Sequence, residues 1–243
     1  MSHSQLHPLQ VNPATGEPYL RLGSPLENII LTPQRPSDVA FTVPILNNPD
    51  VVRWLEGPPY PYTPSHAESW VSSVIEESDA ILRELRGASA KDPEAPPKIV
   101  GGCPVRILRE IKEDGSEVYL GDIAFRRCVY PHEAPEERLR LSEENARRQV
   151  GDPALVWSIG YYLASSHHGR GIMTMALRTL LSAWAIPRMG VRRMRTEAFI
   201  GNIGSVRVFE KNGFVLNRTL EKESPNCLGE TMPGSYILWW EHP

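Results

Sequence analysis

The nine residues Ser166-His167-His168-Gly169-Arg170-Gly171-Ile172-Met173-Thr174 stand where a strand-like run gives way to a helical one. Two glycines at this spacing let a backbone approach an anion closely, and the unpaired N–H groups of a helix start attract negative charge. Arg170 adds a cation, so the turn suits a phosphate. It is neither a dinucleotide fingerprint, since no third glycine follows in register, nor a Walker loop, since GxxxxGK[ST] is absent. Taken alone, such a turn is equally a packing device. Downstream, residues 201–214 (GNIGSVRVFEKNGF) bring Asn202 and Ser205 to another helix start. A helix cap at Asn202 and a first-turn role for Ser205 would account for both locally.

The elements that must position these residues can be read from periodicity. Residues 155–163 (LVWSIGYYL) are apolar on both faces, as in a central strand. Met173, Ala176, Leu177, Leu180, Leu181 and Trp184 recur at helical spacing, with Pro187 as the expected stop. A strand over about 191–199, a helix from Asn202 and a glycine cap at Asn212-Gly213-Phe214 follow. Strands at 214–222 and 236–240 flank a loop around 226–234. Upstream, Ile29-Ile30-Leu31 reads as a strand, 36–46 as a helix with a continuation at 51–55, and 63–86 as a helix started by Thr63-Pro64 with Glu68. Residues 87–97 read as a linker. Strands at 99–111 and 117–127 flank Glu113-Asp114-Gly115-Ser116, whose Asp-Gly pair favours a tight hairpin turn. Residues 135–149 carry alternating acids and arginines and predict a solvated helix in a charged insertion, 131–153, read as a polar excursion or a substrate-side lid. Residues 1–27 lack apolar periodicity and read as an N-terminal arm, leaving 28–243 as one domain.

A chain of 243 residues can bury a sizeable core, and 41% hydrophobic with 23% charged residues excludes a wholly disordered or fibrous protein. The net charge of -3 gives no broad positive field, so neither nucleic acid nor an anionic membrane is an expected partner. Cys103, Cys128 and Cys227 form neither a CxxC pair nor an even disulfide set, which fits a reducing compartment. No apolar stretch reaches the length of a membrane span, and the first ten residues do not have the form of a secretory leader. These features predict a soluble, cytoplasmic protein. Adjacent His167 and His168 lack further metal-ligand spacing, so no metal is expected, and no GxSxG turn supports a hydrolase.

Several fixed spacings hold together: Ile159-Gly160-Tyr161, then Gly169, Gly171, Ile172, Thr174, Ala176 and Leu177, then Asn202, Ser205, Lys211, Gly213 and Phe214. In this the chain resembles the GNAT superfamily of acyl-CoA N-acyltransferases, and within it the branch of ribosomal-protein N-terminal acetyltransferases. YTPSHAESW at 62–70 and Gly121-Asp122-Ile123 also look like this branch, so the resemblance spans roughly 28–223. It implies an α/β fold: a single GNAT domain whose twisted mixed β-sheet is flanked by helices and has a splayed central strand pair, 155–163 and 191–199. It further implies acetyl-CoA as cosubstrate, its pantetheine in the gap and its thioester beside the amides of Tyr162, Leu163 and Ala164. The pyrophosphate would rest on the turn of Gly169, Arg170, Gly171, Ile172, Met173 and Thr174, while Asn202 and Ser205 would face the pantetheine and sulfur.

The implied reaction is direct attack of a primary amine on the thioester, with no covalent enzyme intermediate. Many members of the superfamily use a tyrosine in the second-motif helix to serve the leaving thiolate; Phe209 occupies that position here, and Ser205 is the substitute. The branch's glutamate after its GF glycine is replaced by Asn217, so Glu197 is the first candidate base, with Glu221 or Glu223 behind it. His167 and His168, beside the turn, fit phosphate contact or plain exposure better than base catalysis. In Tyr161-Tyr162 and Trp239-Trp240 strand alternation sends one ring of each pair inward and leaves the other to wall an amine pocket. The acceptor is a protein N-terminus or a small amine, and the protein a monomer or homodimer. The rival expectation is a noncatalytic acyl-CoA-binding module, motivated by Phe209 and Asn217 at proton-handling positions.

Overall fold

A computed structural model describes residues 5–242. In chain order its elements begin with β1 (Gln10–Val11), β2 (Pro18–Arg21) and β3 (Ile29–Thr32). Helices α1 (Val39–Leu46), α2 (Pro49–Val52) and α3 (Pro64–Lys91) follow, then β4 (Ile107–Ile111) and β5 (Glu117–Arg127). Next come α4 (Pro135–Arg147), β6 (Val156–Leu163), α5 (Ile172–Leu180) and α6 (Ile186–Met189). The chain continues through β7 (Arg193–Phe199), α7 (Ile203–Glu210) and β8 (Val215–Leu220), and then β9 (Ser224–Pro225), β10 (Thr231–Met232) and β11 (Ser235–Glu241).

Among the described residues, nine strands form one sheet in the order β1-β2-β3-β4-β5-β6-β7-β11-β8, and β9 and β10 make a separate small hairpin. Every neighbouring pair in this sheet is antiparallel except β6 and β7. That parallel pair is registered only at Val156 with Arg193 and Trp157 with Met194, after which the strands part. Thr196 Oγ1 then donates to the Ile159 carbonyl at 3.1 Å, a side chain standing in for the missing ladder. The mixed α/β sheet with a splayed central pair is thus present. β5 approaches β6 so closely that a Cβ on Gly121 would lie 2.1 Å from the Tyr162 carbonyl oxygen, which is why glycine stands there.

The main core joins the sheet to α3 and α5 through residues such as Leu85, Leu120, Trp157, Leu177 and Trp184, all nearly or fully buried. Each such side chain contributes roughly 1.5–3 kcal/mol relative to exposure. α3 begins with a reciprocal cap: the His66 N–H reaches Thr63 Oγ1 at 3.4 Å and the Thr63 N–H reaches His66 Nδ1 at 3.1 Å. His66, three residues after the cap, has the reach that Glu68 lacks. The helix runs five residues past the expected Arg86, since Gly87 weakens but does not end it and no proline intervenes before Asp92-Pro93; Asp92 is extended as a pre-proline residue should be.

Other expectations shift for local reasons. Residues 99–106 form a loop, since Gly101, Gly102 and Pro104 weaken any ladder there, and β4 begins at Ile107. Pro187 does not end its helix. A π turn at Leu181–Ala185 precedes it, Pro187 occupies the first turn of α6, and the chain leaves at Gly190 with the Val191 N–H bonded to the Ala185 carbonyl at 3.0 Å. Within the segment read as an arm, β2 pairs with β3, and Leu9, Leu20 and Leu22 join the core. Short strands of two and four residues carry too little alternation to be read from sequence.

The charged insertion forms α4, whose exposed face is laced by Arg140 to Glu137 and Glu144 and by Arg148 to Glu144. Exposed pairs of this kind add little stability. The underside is different: buried Asn145 donates to the carbonyls of Cys128 (3.0 Å) and Val156 (2.7 Å) and accepts the Val156 N–H (2.9 Å). Replacing Asn145 with alanine strands buried main-chain groups and is expected to cost about 2–4 kcal/mol in urea unfolding. A loss under about 0.5 kcal/mol would mean that α4 is not docked through this residue.

Candidate active site

Gly169 and Gly171 both take left-handed backbone, at φ +75° and +77°, and a Cβ on either would meet no protein atom within 4 Å. The glycines are therefore required by the turn itself, and the space above them stays open. The Met175 N–H is the first of α5 to find a local carbonyl, that of Gly171 at 3.0 Å. The amides of Ile172, Met173 and Thr174 precede any intrahelical acceptor, and all three residues line a cavity of about 510 Å³. Their N–H groups and the helix dipole make a site for an anion. Arg207 on α7 and Lys211, the residue that ends it, stand one turn apart, line the same cavity and add positive charge.

Arg170 does not line it. Its guanidinium turns outward to Glu110 at 3.5 Å, and His167 Nε2 lies 3.3 Å from the same carboxylate. Glu110 is held down to about 2 by the hydrogen bond from Lys112, with His167 adding to the effect. His168 Nε2 donates to the Leu163 carbonyl at 2.8 Å, so one imidazole ties the turn to β6 while both line the cavity.

The free edge of β6 supplies the next group. The Ala164 N–H is spent on the Leu120 carbonyl at 2.7 Å. Strand alternation sends the Tyr162 amide the same way and turns the Leu163 amide into the gap opposite β7. Of the three residues expected near a thioester, Leu163 alone presents its N–H there. The Tyr162 hydroxyl meets that of Tyr119 at 2.6 Å, and its ring packs with Leu46, Tyr62 and Ala67. The ring of Tyr161 faces the other way, against buried Phe209 at 5.5 Å, with its hydroxyl 3.5 Å from the Ser205 carbonyl.

Asn202 caps α7 through the Ser205 N–H at 3.1 Å, so the local and the functional readings share one geometry. A second cavity, of about 190 Å³, opens on the far side and is lined by Glu197, Phe209 and Ser235. Trp54, Leu55, Tyr161, Asn202 and Ser205 line both cavities and form the passage between them. Glu197 is pushed up from the ordinary carboxylate range by burial, against the pull of Arg195. Its Oε1 is 3.1 Å from Arg195 Nη1 but outside hydrogen-bond alignment, leaving that buried oxygen without a hydrogen-bond partner.

The roof over the passage was not legible in the sequence. Asn48 Nδ2 donates to Ser165 Oγ (3.0 Å), Asn226 Nδ2 to the Arg53 carbonyl (3.0 Å), and the Cys227 N–H to the Leu55 carbonyl (2.9 Å). These bonds hold Trp54 and Leu55 from both sides. Of the pair Tyr161-Tyr162, expected to leave one ring on a pocket wall, Tyr161 lines both cavities and Tyr162 the larger one, while Arg207 and Lys211 line the larger cavity without having been expected there. Glu221 and Glu223 are exposed and line neither cavity. Trp240 is buried against Phe214, and Trp239 packs near Cys128, Tyr130 and Val156, so neither indole walls either of these two cavities. Among the described residues, no group of three or more His, Cys, Asp and Glu could hold a metal ion, and no helix is long and apolar enough to cross a membrane.

A splayed parallel pair with an anion-type helix start beside it is the arrangement of the GNAT class of folds. The sequence model of the acetyltransferase (GNAT) domain matches residues 28–215, and the chain belongs to that family. A 56-residue stretch is 41% identical to a probable N-acetyltransferase, YjcK, of Bacillus subtilis, covering 23% of this chain and 30% of that protein. The chain thus spans under a third of that relative's length in the match. Among solved structures, the ribosomal-protein-S5-alanine acetyltransferase of Vibrio fischeri is similar at a TM-score of 0.57 and 13% identity, over 92% of this chain and 96% of that one. RimJ of Mycobacterium smegmatis, in complex with CoA-disulfide, is similar at 0.52 and 19%, over 93% and 86%. These likenesses show the fold.

The φ of +77° at Gly171 costs an ordinary L-residue roughly 1–2 kcal/mol. Alanine escapes by leaving the turn, and binding must then restore it. Gly171→Ala is expected to raise the Kd for acetyl-CoA about 5- to 30-fold by calorimetry. An unchanged Kd would remove this turn from the binding site.

Proposed function

We propose that this chain transfers acetyl from acetyl-CoA to a primary amine by direct attack. The observation that carries this reading is the meeting of two cavities at Tyr161, Asn202 and Ser205, one beside a helix-start anion site and one beside a buried carboxylate. The pyrophosphate binds the amides of Ile172 to Thr174, the pantetheine follows the free edge of β6, and the thioester carbonyl points at the Leu163 N–H. The residues fit such a cosubstrate: the donors are unspent, the glycines leave room, and Arg207 and Lys211 add charge.

The amine enters the second cavity and attacks the carbonyl carbon. Negative charge grows on the oxygen, where preset backbone donors lower barriers by about 2.7–4 kcal/mol. Glu197 takes the proton released by the amine, and the C–S bond breaks with Ser205 donating a hydrogen bond at the departing sulfur. Tyr161, whose hydroxyl adjoins Ser205, is a second donor on that side. The proposed acceptor is an α-amino group, on a protein N-terminus or a small molecule. Near pH 7 an α-amino group is roughly 10% neutral and a lysine about 0.1% or less, so the former asks less of a single carboxylate. The ribosomal-protein enzyme among the similar structures supports the same acceptor class.

Thiol release from acetyl-CoA should appear with N-terminal peptides or small α-amines and be weaker with matched lysine peptides. Preference for lysine would overturn the acceptor assignment. A base works deprotonated, and burial raises Glu197, so kcat/KM should climb with pH through a limb above the ordinary value of about 4.3. In Glu197→Gln that limb should vanish and kcat/KM fall about 10²- to 10⁴-fold. Retention of the full rate across pH would remove Glu197 from the chemistry. In Ser205→Ala single-turnover transfer should slow while acetyl-CoA affinity holds; an unchanged chemical step would end the sulfur-side role.

A further inference from the structure

Arg195 is a neighbour of Glu197, which lines the second cavity, and its own side chain is only 1% exposed. It stands two residues before Glu197 on β7 and therefore shares its face of the sheet. Its Nη2 donates to Glu133 Oε1 at 3.1 Å, while its Nη1 is near Glu197 Oε1 without alignment. Glu133 belongs to the charged insertion, just before α4. Its Oε1 also accepts from Arg218 of β8, and the sheet register places Arg218 opposite Ile237 and Ile237 opposite Glu197, all on one face. The guanidinium is further fixed over the Tyr130 ring at 5.4 Å.

We infer that Glu133 is a positioning residue of the acceptor cavity: by occupying one prong of Arg195 it keeps that guanidinium from closing a two-pronged pair on Glu197, leaving Glu197 Oε1 open to an incoming amine. The inference rests on the reading of Glu197 as the base. A buried arginine left with one carboxylate partner takes it in a bidentate fork, which would hold Glu197 ionised and block its proton-accepting edge. Glu133 prevents this, so the insertion acts on the reaction through Arg195 rather than by covering the cavity.

The charged and titratable groups facing Glu197 are Arg195 on its own strand, Glu56 after α2, Glu133 from the insertion and Cys128 at the end of β5. His132 faces Arg195 and is kept neutral by burial. Removing the charge at Glu133 both frees Arg195 for Glu197 and deletes a like charge, so both effects lower the proton affinity of Glu197.

The test follows the Glu197 carboxyl by carbon-13 NMR in the full chain, assigned by its absence in Glu197→Gln, alongside the pH profile of acetyl transfer. In Glu133→Gln both the titration and the acidic limb of kcat/KM should move down by about one pH unit or more, with acetyl-CoA affinity unchanged. Glu133→Asp should restore part of the shift. Arg218→Gln, at an exposed edge-strand position, should move the titration up, because Glu133 then serves Arg195 alone; this variant keeps the test open if Glu133→Gln does not fold. A Glu197 titration that stays put in Glu133→Gln, or in Arg218→Gln, overturns the inference. A titration that moves while the rate limb stays upholds the role of Glu133 and removes Glu197 as the base.

Discussion

The parallel ladder between β6 and β7 stops after Trp157 and Met194, and this interruption fixes where the rest of the site has to stand. A buried strand edge without partners carries unpaired main-chain groups, which water, side chains or a ligand must satisfy. Thr196 satisfies the Ile159 carbonyl and His168 the Leu163 carbonyl, but the Leu163 amide is left to the gap. The two cavities share Tyr161, Asn202 and Ser205 beside this opening, so a molecule threaded through it would reach from one cavity to the other.

Charge is distributed to match. At the donor mouth Glu110 collects Lys112, His167 and Arg170 into one cluster, so the anion is left to the helix amides and to the α7 cations. These backbone donors need no reorganisation when a ligand arrives. At the second cavity the balance is negative: burial first, then the neighbouring Glu56 and Glu133, raise Glu197 against the pull of Arg195. A cation is favoured on entering that cavity, while a base there holds its proton more tightly than an exposed carboxylate would.

The sequence made the donor half legible because helix starts, glycine turns and caps are local. Gly169, Gly171 and Asn202 need only their neighbours to explain them, and their joint spacing named the family. The acceptor half is not local. Trp54 and Leu55 reach the passage because Asn226 and Cys227, some 170 positions away, hold the strand of chain that carries them. Arg195 looks like a surface arginine in the sequence, and only the arrival of Glu133 and Tyr130 makes it a buried one. Pro187 misled for the opposite reason: a proline stops a helix by default, yet the π turn before it absorbs the lost hydrogen bond. Ala164 shows a finer limit, since its N–H points at β5 by strand parity, which depends on a pairing register no single strand reveals.

β11 follows β8 in the chain but lies between β7 and β8 in the sheet. During synthesis β7 therefore emerges with one edge splayed from β6 and the other bare, and it stays so until residues 235–241 arrive to zip against it. β8, whose only neighbour in the sheet is β11, waits for the same residues. A nascent chain halted before Ser235 would thus hold a formed helix-start turn beside a β7 that still lacks its second neighbour.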